Sequence, residues 1–240
     1  MKKALIEILV CPSCLPEERR LTEHVIREQE DDILAGSLTC RHCGQRFPIR
    51  DGVAFLTLAD PRSAKADSKY ETPSALSSYL WSHYSDLLKE PEASAAYREW
   101  VNLMHLKGGL AIDIGTAVGR FAFEMTLRSD FVIGIDNSVS FIQAARALMM
   151  KRRGKILLPL AGRISRKATV TLSDEWDVKK VEFIVADAHA LPFKANTFSS
   201  LASLNIIDKV AVPLKHLQET NRVARDKDAQ LLFFRSLIIL

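Results

Sequence analysis

The chain has 240 residues, 48% of them hydrophobic and 26% charged, with a formal net charge of +4. That length suits one small module plus one larger domain, given domains of ~100–200 residues, and the composition excludes global disorder. A charge this close to neutral does not by itself imply a polyanionic partner.

The first segment, MKKALIEILVC, has the outline of a lipoprotein signal: two lysines, an apolar run and a cysteine. Glu7 interrupts the run, which is too short for the usual ~7–15 apolar residues and lacks a small-residue cleavage site. It therefore reads as a mature cytoplasmic start. No stretch approaches the ~18 apolar residues of a membrane span, so neither export nor a membrane partner is expected.

All four cysteines fall in two C-x₂-C pairs, Cys11/Cys14 and Cys40/Cys43, with 25 residues between them. Each pair can turn two sulfurs to one face, and two pairs complete a closed tetrahedral site for structural Zn²⁺. The competing reading is two disulfides, which a reducing compartment disfavours. With four thiolates present, His42 has no ligand role and is expected at the surface. Leu5 to Leu58, with LIEILVCPSC and LTCRHCGQRFPIRDGVAFL, resembles the small zinc-ribbon family that activates tRNA, rRNA and protein methyltransferases, most specifically at Phe47 to Val53. The resemblance implies a ribbon, residues 1–58, joined to its client in one chain.

A polar stretch with several serines and prolines reads as a linker over residues 59–73. Helices are predicted over Ser74 to Lys89 and Glu92 to Leu106, the first with Leu76, Tyr79, Leu80, Tyr84, Leu87 and Leu88 on one face. Those aromatics are read as core or lid packing. At Leu110 a short apolar strand, LAIDI, runs into a turn and a helix expected to start near Val118. Asp113, Gly115, Ala117 and Gly119 follow a D-x-G-x-G-x-G pattern with alanine at the middle glycine, which permits a sharp turn and close backbone approach to a ligand. Helix amides are expected to point at a ligand carboxylate. A second strand, FVIGID, ends at Asp136, 23 residues after Asp113, where a carboxylate can accept from both ribose hydroxyls, with Asn137 beside it.

The 51 residues from Asp136 to Asp187 exceed what one helix and one strand need. Alternation at Ala168 to Leu172 predicts an inserted β-hairpin within residues 151–180. Between Arg146 and Lys180 ten basic residues stand against Asp174, Glu175 and Asp177. These could contact phosphates, but few aromatics are interleaved for base stacking, and a solvated face is the plainer reading. A third strand, VEFIVAD, ends at Asp187, and a fourth, about Ser199 to Ile206, ends in LNIID.

Residues 106–240 resemble class I S-adenosylmethionine-dependent methyltransferases, on the glycine loop, DAHALPF and LPFKANTFSSLASLNIID. The resemblance implies an α/β, Rossmann-like sheet over residues 74–240 with S-adenosylmethionine as cofactor. Asp187 would meet the adenine amino group, the Ala188 amide a ring nitrogen, and the strand end at Asn205 would face the methyl group. Asp113 could instead merely cap the loop, and Asn205 or Asp208 could satisfy backbone at a strand end. NAD is the competing cofactor.

No residue can be assigned as catalytic, because displacement at a sulfonium mainly requires alignment and exclusion of water. No cysteine follows Cys43, which excludes a cysteine-nucleophile mechanism. Asn205-Ile206-Ile207-Asp208 lacks the prolines and aromatic of the D/N-P-P-Y/F motif used for exocyclic amines and amides. The expected transferase acts on an O, N or C acceptor, a small molecule first, with RNA or protein as the alternative that the ribbon favours. A non-catalytic activator is the second alternative. The apparent fifth strand, AQLLFFRSLIIL, closes the sheet early for this family, so a truncated form, an oligomer or a partner pairing with that strand is expected.

Overall fold

The computed structural model describes residues 1–58, 69–88, 93–105, 108–161, 164–225 and 228–234. Strands β1 (Leu21–Gln29), β2 (Asp32–Cys40), β3 (Arg46–Arg50) and β4 (Val53–Leu56) form an antiparallel run in the ribbon. The second part alternates strands and helices. In chain order these are α1 (Pro73–Tyr84), α2 (Ala96–Leu103), β5 (Leu110–Ile114), α3 (Arg120–Met125), β6 (Phe131–Asp136) and α4 (Val139–Lys151). A hairpin of β7 (Arg153–Ala161) and β8 (Ile164–Thr171) follows, then β9 (Val181–Ala186), β10 (Ser200–Leu204), α5 (Pro213–Val223) and β11 (Gln230–Phe234).

Among the described residues one nine-stranded sheet has the order β1-β2-β3-β4-β9-β6-β5-β10-β11. Its last five strands are parallel, as strands joined by helical crossovers must be. The ribbon joins them directly: β4 runs parallel to β9, with Phe55 opposite Val185 and Leu56 opposite Ala186. Every residue of β4, β9 and β10 is buried, as expected for strands covered on both faces.

Alternation along the strands divides two cores. Val53 and Phe55, Val181, Phe183 and Val185, and Ala202 pack on one face beneath α1 to α4, the hairpin and Trp176. Ala54 and Leu56, Ile112, Ile114, Ile133, Ile135 and Ile184 pack on the other. That second core continues into the ribbon through Leu9, Cys11, Leu38, Cys40 and Phe47. The ribbon thus covers part of one face of the parallel sheet rather than hanging in front of it.

Two buried arginines fasten the layers. Arg146 of α4 pairs with Glu182 of β9 and Asp32 of β2, and its Nε donates to the Asp51 carbonyl at 3.2 Å. Arg120 of α3, 1% exposed, donates to Asp86 Oδ1 at 2.6 Å, Asp86 Oδ2 at 2.9 Å and Glu124 Oε1 at 2.7 Å. Glu124 Oε2 accepts from the Trp176 indole at 3.2 Å, so this network is satisfied at several members. Glu71 accepts from the Val139 and Ser140 amides at 2.8 and 3.1 Å, adding a carboxylate to the α4 N-terminus that Ser138 already caps.

Element bounds differ from the sequence-based expectation in three places. The first predicted helix is α-helical only to Tyr84 and tightens into a 3₁₀ turn over Ser85–Leu88, where Asp86 turns toward Arg120. The second is shorter, Ala96–Leu103. The helix after the glycine loop starts at Arg120 rather than near Val118, because Gly119 is still left-handed at φ 86°. The hairpin strands lie at 153–161 and 164–171, around the alternating residues that predicted them. Most of the predicted linker, and residues 235–240 of the predicted last strand, lie outside the described residues.

Candidate functional site

The chain runs β5, β6, β9 in one direction across the sheet and then returns to place β10 on the other side of β5. Such a reversal opens a crevice at the carboxyl ends of the strands. A cavity of about 930 Å³ lies there. It brings together Asp113, Gly115, Ala117, Asp136, Asn137, Asp187, Ala188 and Asn205, eight of the nine residues proposed from the sequence for the cofactor. Gly119 is not among its lining residues. Gly119 serves the backbone instead: a Cβ there would sit 2.7 Å from the Phe183 ring.

The glycine loop is held from inside. Gly115 and Thr116 amides both donate to the Ile135 carbonyl at 2.9 Å, and the Gly119 amide to Thr116 O at 2.9 Å. Ala117, at the middle glycine position, is left-handed at φ 49°, a conformation that costs a residue with a Cβ roughly 1–2 kcal/mol. Its amide donates to Asp136 Oδ2 at 3.0 Å, which offsets that cost. These four amides are therefore engaged within the protein. The six-residue α3 begins at Arg120, after a loop whose donors stabilise the turn itself.

Two carboxylates of this loop region are protonated more readily than usual. Burial pushes Asp113 up to about 7, against a 2.6 Å hydrogen bond donated by Thr116 Oγ1 to its Oδ2. Burial also pushes Asp136 up to about 6, against amide donors from Ser138 and Ala117. Asp187 Oδ1 accepts from the His189 amide at 2.8 Å and lies 2.8 Å from His189 Nδ1. The Val212 amide donates to His189 Nε2 at 3.2 Å. With Nε2 accepting, the proton of the neutral ring sits on Nδ1 and is donated to Asp187. His189 thereby bridges Asp187 to the loop before α5. Below it, His216 Nδ1 faces the Ala188 carbonyl at 3.3 Å and its Nε2 lies 2.9 Å from Ser203 Oγ.

The roof of the cavity is aromatic. Tyr70, Tyr79, His83, Tyr97, Phe121 and Phe141 line it, and Tyr84 Oη ties α1 to the loop by donating to Val118 O at 2.8 Å. The sequence reading took the α1 aromatics for packing and did not single out His83. The i, i+4 spacing of Tyr79 and His83 puts both on one helix face, but Tyr97 and Phe141 meet them only in three dimensions.

The four cysteine sulfurs lie within 4.8 Å of one another, with Cys11–Cys43 at 3.7 Å and Cys14–Cys40 at 3.8 Å. A tetrahedral ion with bonds of about 2.3 Å to sulfur requires edges of about 3.8 Å, so the donor set fits such an ion. Gly44, left-handed at φ 74°, closes the second turn by donating to Cys40 O at 2.9 Å. His42 is exposed.

Residues 2–52 match the family model described as Trm112p-like protein, and residues 112–229 match the one described as methyltransferase domain. No curated protein matches the chain. Among solved structures, phosphoethanolamine N-methyltransferase 2 of Haemonchus contortus in complex with S-adenosyl-L-methionine is similar over 79% of this chain and 37% of its own, at 18% identity and TM-score 0.53. A candidate S-adenosyl-L-methionine-dependent methyltransferase from Methanococcus maripaludis is similar over 70% and 64%, at 12% identity and TM-score 0.50. The YcgJ protein of Bacillus subtilis is similar over 58% of this chain at 16% identity and TM-score 0.46. This chain spans about half the length of that protein, 50%. The first two likenesses show the fold, and no helix among the described residues is long and apolar enough to cross a membrane. The chain carries a Trm112p-like domain at residues 2–52 and a methyltransferase domain at residues 112–229, joined in a single sheet.

Proposed function

We propose that the chain binds S-adenosylmethionine in the 930 Å³ cavity and transfers its methyl group to an acceptor held under the aromatic roof. The observation that carries this reading is the convergence of Asp113, Asp136 and Asp187, from three separate strand ends, on one cavity at the sheet's switch point. When bound, the cofactor supplies an electrophilic methyl on a sulfonium, which needs no further activation of its leaving group. Asp136, with two backbone donors already fixing its carboxylate, would accept from the ribose hydroxyls. Asp187, oriented by His189, and the Ala188 amide would hold the adenine. Gly115 and Ala117 would let the backbone approach closely, and Asn205 would stand at the strand end nearest the methyl group. Tyr79, Tyr97 and Phe121 would keep water from the reacting atoms.

The ribbon, residues 1–58, would hold structural Zn²⁺ through Cys11, Cys14, Cys40 and Cys43, in a reducing, cytoplasmic setting. Residues 59–73 would link it to the catalytic domain, 74–240. Because the thiols all belong to the ribbon, no cysteine nucleophile is available to the cavity. A cavity with an aromatic roof favours a small-molecule acceptor. One observation favours RNA instead: the hairpin turns Arg153, Lys155 and Lys167 outward on one exposed face, and none has an ion pair among the described residues. RNA binding by that face would weaken steeply with salt, roughly one logarithmic unit per contact across a tenfold change.

Calorimetric titration of the zinc-loaded chain with S-adenosylmethionine, S-adenosylhomocysteine and NAD tests the cofactor. Binding of the first two alone is expected. Asp136→Ala should weaken it by ~1–3 kcal/mol, and unchanged affinity in that variant would overturn the site.

A further inference from the structure

The cavity has a second wall whose chemistry selects an acceptor. Phe141, Tyr79, His83 and Tyr97 form a row of rings from three helices, with successive centroids 4.5, 5.6 and 4.8 Å apart and tilts of 38°, 36° and 35°. Offset, tilted rings at these separations are a favourable aromatic arrangement, and together they present a broad surface suited to another flat ring. All four line the cavity.

One polar group in the row lacks a partner. His83 Nδ1 is buried with no hydrogen bond among the described residues. Buried polar atoms are normally paired, and an unpaired one costs about 1–3 kcal/mol. Burial, then the charges of Arg120 and Lys209, push the imidazole down to about 3, so the ring is neutral and keeps a lone pair. Arg120 Nη1 backs it by donating to the His83 carbonyl at 2.8 Å.

These features discriminate among ligands. An ammonium group against His83 would be repelled by Arg120 and Lys209, whose charges add to burial in keeping the imidazole neutral. A phosphate or carboxylate would enter a cavity lined by Asp113, Asp136, Asp187 and Asp208, with Lys209 as the one basic side chain and no arginine among its described lining residues. An uncharged aromatic hydroxyl satisfies both halves of the wall: its ring lies on the row, and its hydroxyl supplies the partner the imidazole lacks.

We propose that the Tyr79–His83–Tyr97 wall is the acceptor subsite and takes a planar, uncharged aromatic hydroxyl hydrogen-bonded to His83. This rests on the methyltransferase reading above. The hydroxyl oxygen forms its bond to the methyl carbon as the carbon–sulfur bond breaks and its electron pair stays on sulfur. The hydroxyl proton, strongly acidic once oxygen gains the methyl, passes to the His83 imidazole and then to solvent, leaving an aryl methyl ether and a thioether.

The test is binding rather than turnover. The full chain is titrated with S-adenosylhomocysteine by calorimetry and then, with that ligand bound, with four fluorescent probes: 2-naphthol, naphthalene, 2-naphthyl phosphate and 2-(aminomethyl)naphthalene. 2-Naphthol should bind about tenfold or more tightly than each of the others. His83→Phe, which keeps the ring, should bring 2-naphthol down to the level of naphthalene, and His83→Asn should restore part of the difference. Tighter binding of the phosphate or the amine, equal binding of naphthol and naphthalene, an unchanged preference in His83→Phe, or no probe binding beside bound S-adenosylhomocysteine would each overturn the subsite. Failure of S-adenosylhomocysteine itself to bind would instead bring down the cofactor reading, and the subsite with it.

Discussion

The four ribbon sulfurs come from two stretches of four residues, 11–14 and 40–43, whereas the cavity collects side chains from positions as far apart as Tyr70 and Ala211. In the ribbon, the ligand geometry is set within each turn: Cys14 N bonds back to Cys11 O and Gly44 N to Cys40 O. In the cavity no segment is complete, and α1, α2, α4, four strand ends and the loop before α5 must all be in place. The first kind of site is local. The second is a property of the whole sheet. The comparison matters because the two share a core: Cys11 and Cys40 pack in the same cluster as Ile112, Ile133 and Ile184 beneath the cavity.

The largest expected effect follows from that shared core. If the thiols hold zinc, the binding free energy at stake is on the order of 10 kcal/mol. Cys40→Ser or chelation should therefore loosen the methyltransferase domain as well as the ribbon. Thermal unfolding followed by near-ultraviolet dichroism of Trp176, far from the thiols in sequence, should lose its cooperative transition. If the tryptophan signal melts unchanged while the ribbon is stripped, the two regions are independent and the continuous core carries little energy.

This contrast also explains what could be read from the chain. The C-x₂-C pairs, and the runs LAIDI, FVIGID and VEFIVA, are visible because each carries its signal within a few residues: paired thiols, or a buried parallel strand that is apolar at nearly every position. Asp113, Asp136 and Asp187, at or beside the ends of those runs, line the cavity. Hidden from the sequence was the pairing of β4 with β9, since VAFL is apolar whichever edge it joins. Hidden too was the roof, because Tyr97 reads as one face of a short helix until α1 and α4 are placed beside it. The internal bonding of the loop was hidden as well, because no motif states that Ile135 O and Asp136 take the amides of Gly115, Thr116 and Ala117.

A second effect isolates the roof. Arg120→Ala would leave Asp86 and Glu124 without their shared cation, 34 residues apart in the chain for Arg120 and Asp86. Breaking a buried pair this way typically costs about 3–5 kcal/mol. Denaturant unfolding should show that loss, while metal content of the ribbon stays unchanged. A loss below about 1 kcal/mol would mean that the roof does not depend on this arginine.

The third concerns acidity. Asp113 is raised in the folded state to about 7 from an ordinary 3.8. A raised folded value means that the native state binds the proton more tightly than the unfolded chain. Its stabilising contribution is complete below about pH 4 and disappears as pH rises through about 7, a change on the order of 4 kcal/mol by linkage. Comparing denaturant midpoints at pH 5 and pH 8, Asp113→Asn should flatten this fall relative to the parent. An identical pH dependence in both proteins would show that the carboxylate is solvated and the loop more open than its burial implies.

The smallest effect tests how the two halves of the cavity communicate. His189 donates from Nδ1 to Asp187 and accepts at Nε2 from Val212, so one ring spans the proposed adenine position and the loop carrying Asp208 and Lys209. A glutamine cannot hold both partners with the same rigidity, and His189→Gln should lose about 0.5–1.5 kcal/mol, one hydrogen bond's net worth. The loss should appear mostly as faster amide hydrogen exchange over residues 206–212, with a weaker effect on S-adenosylhomocysteine affinity. If affinity falls while exchange in that loop is unchanged, His189 acts only by orienting Asp187. If exchange rises and affinity holds, the ring is a strut for the acceptor side, and the two halves of the cavity are assembled separately in spite of sharing it.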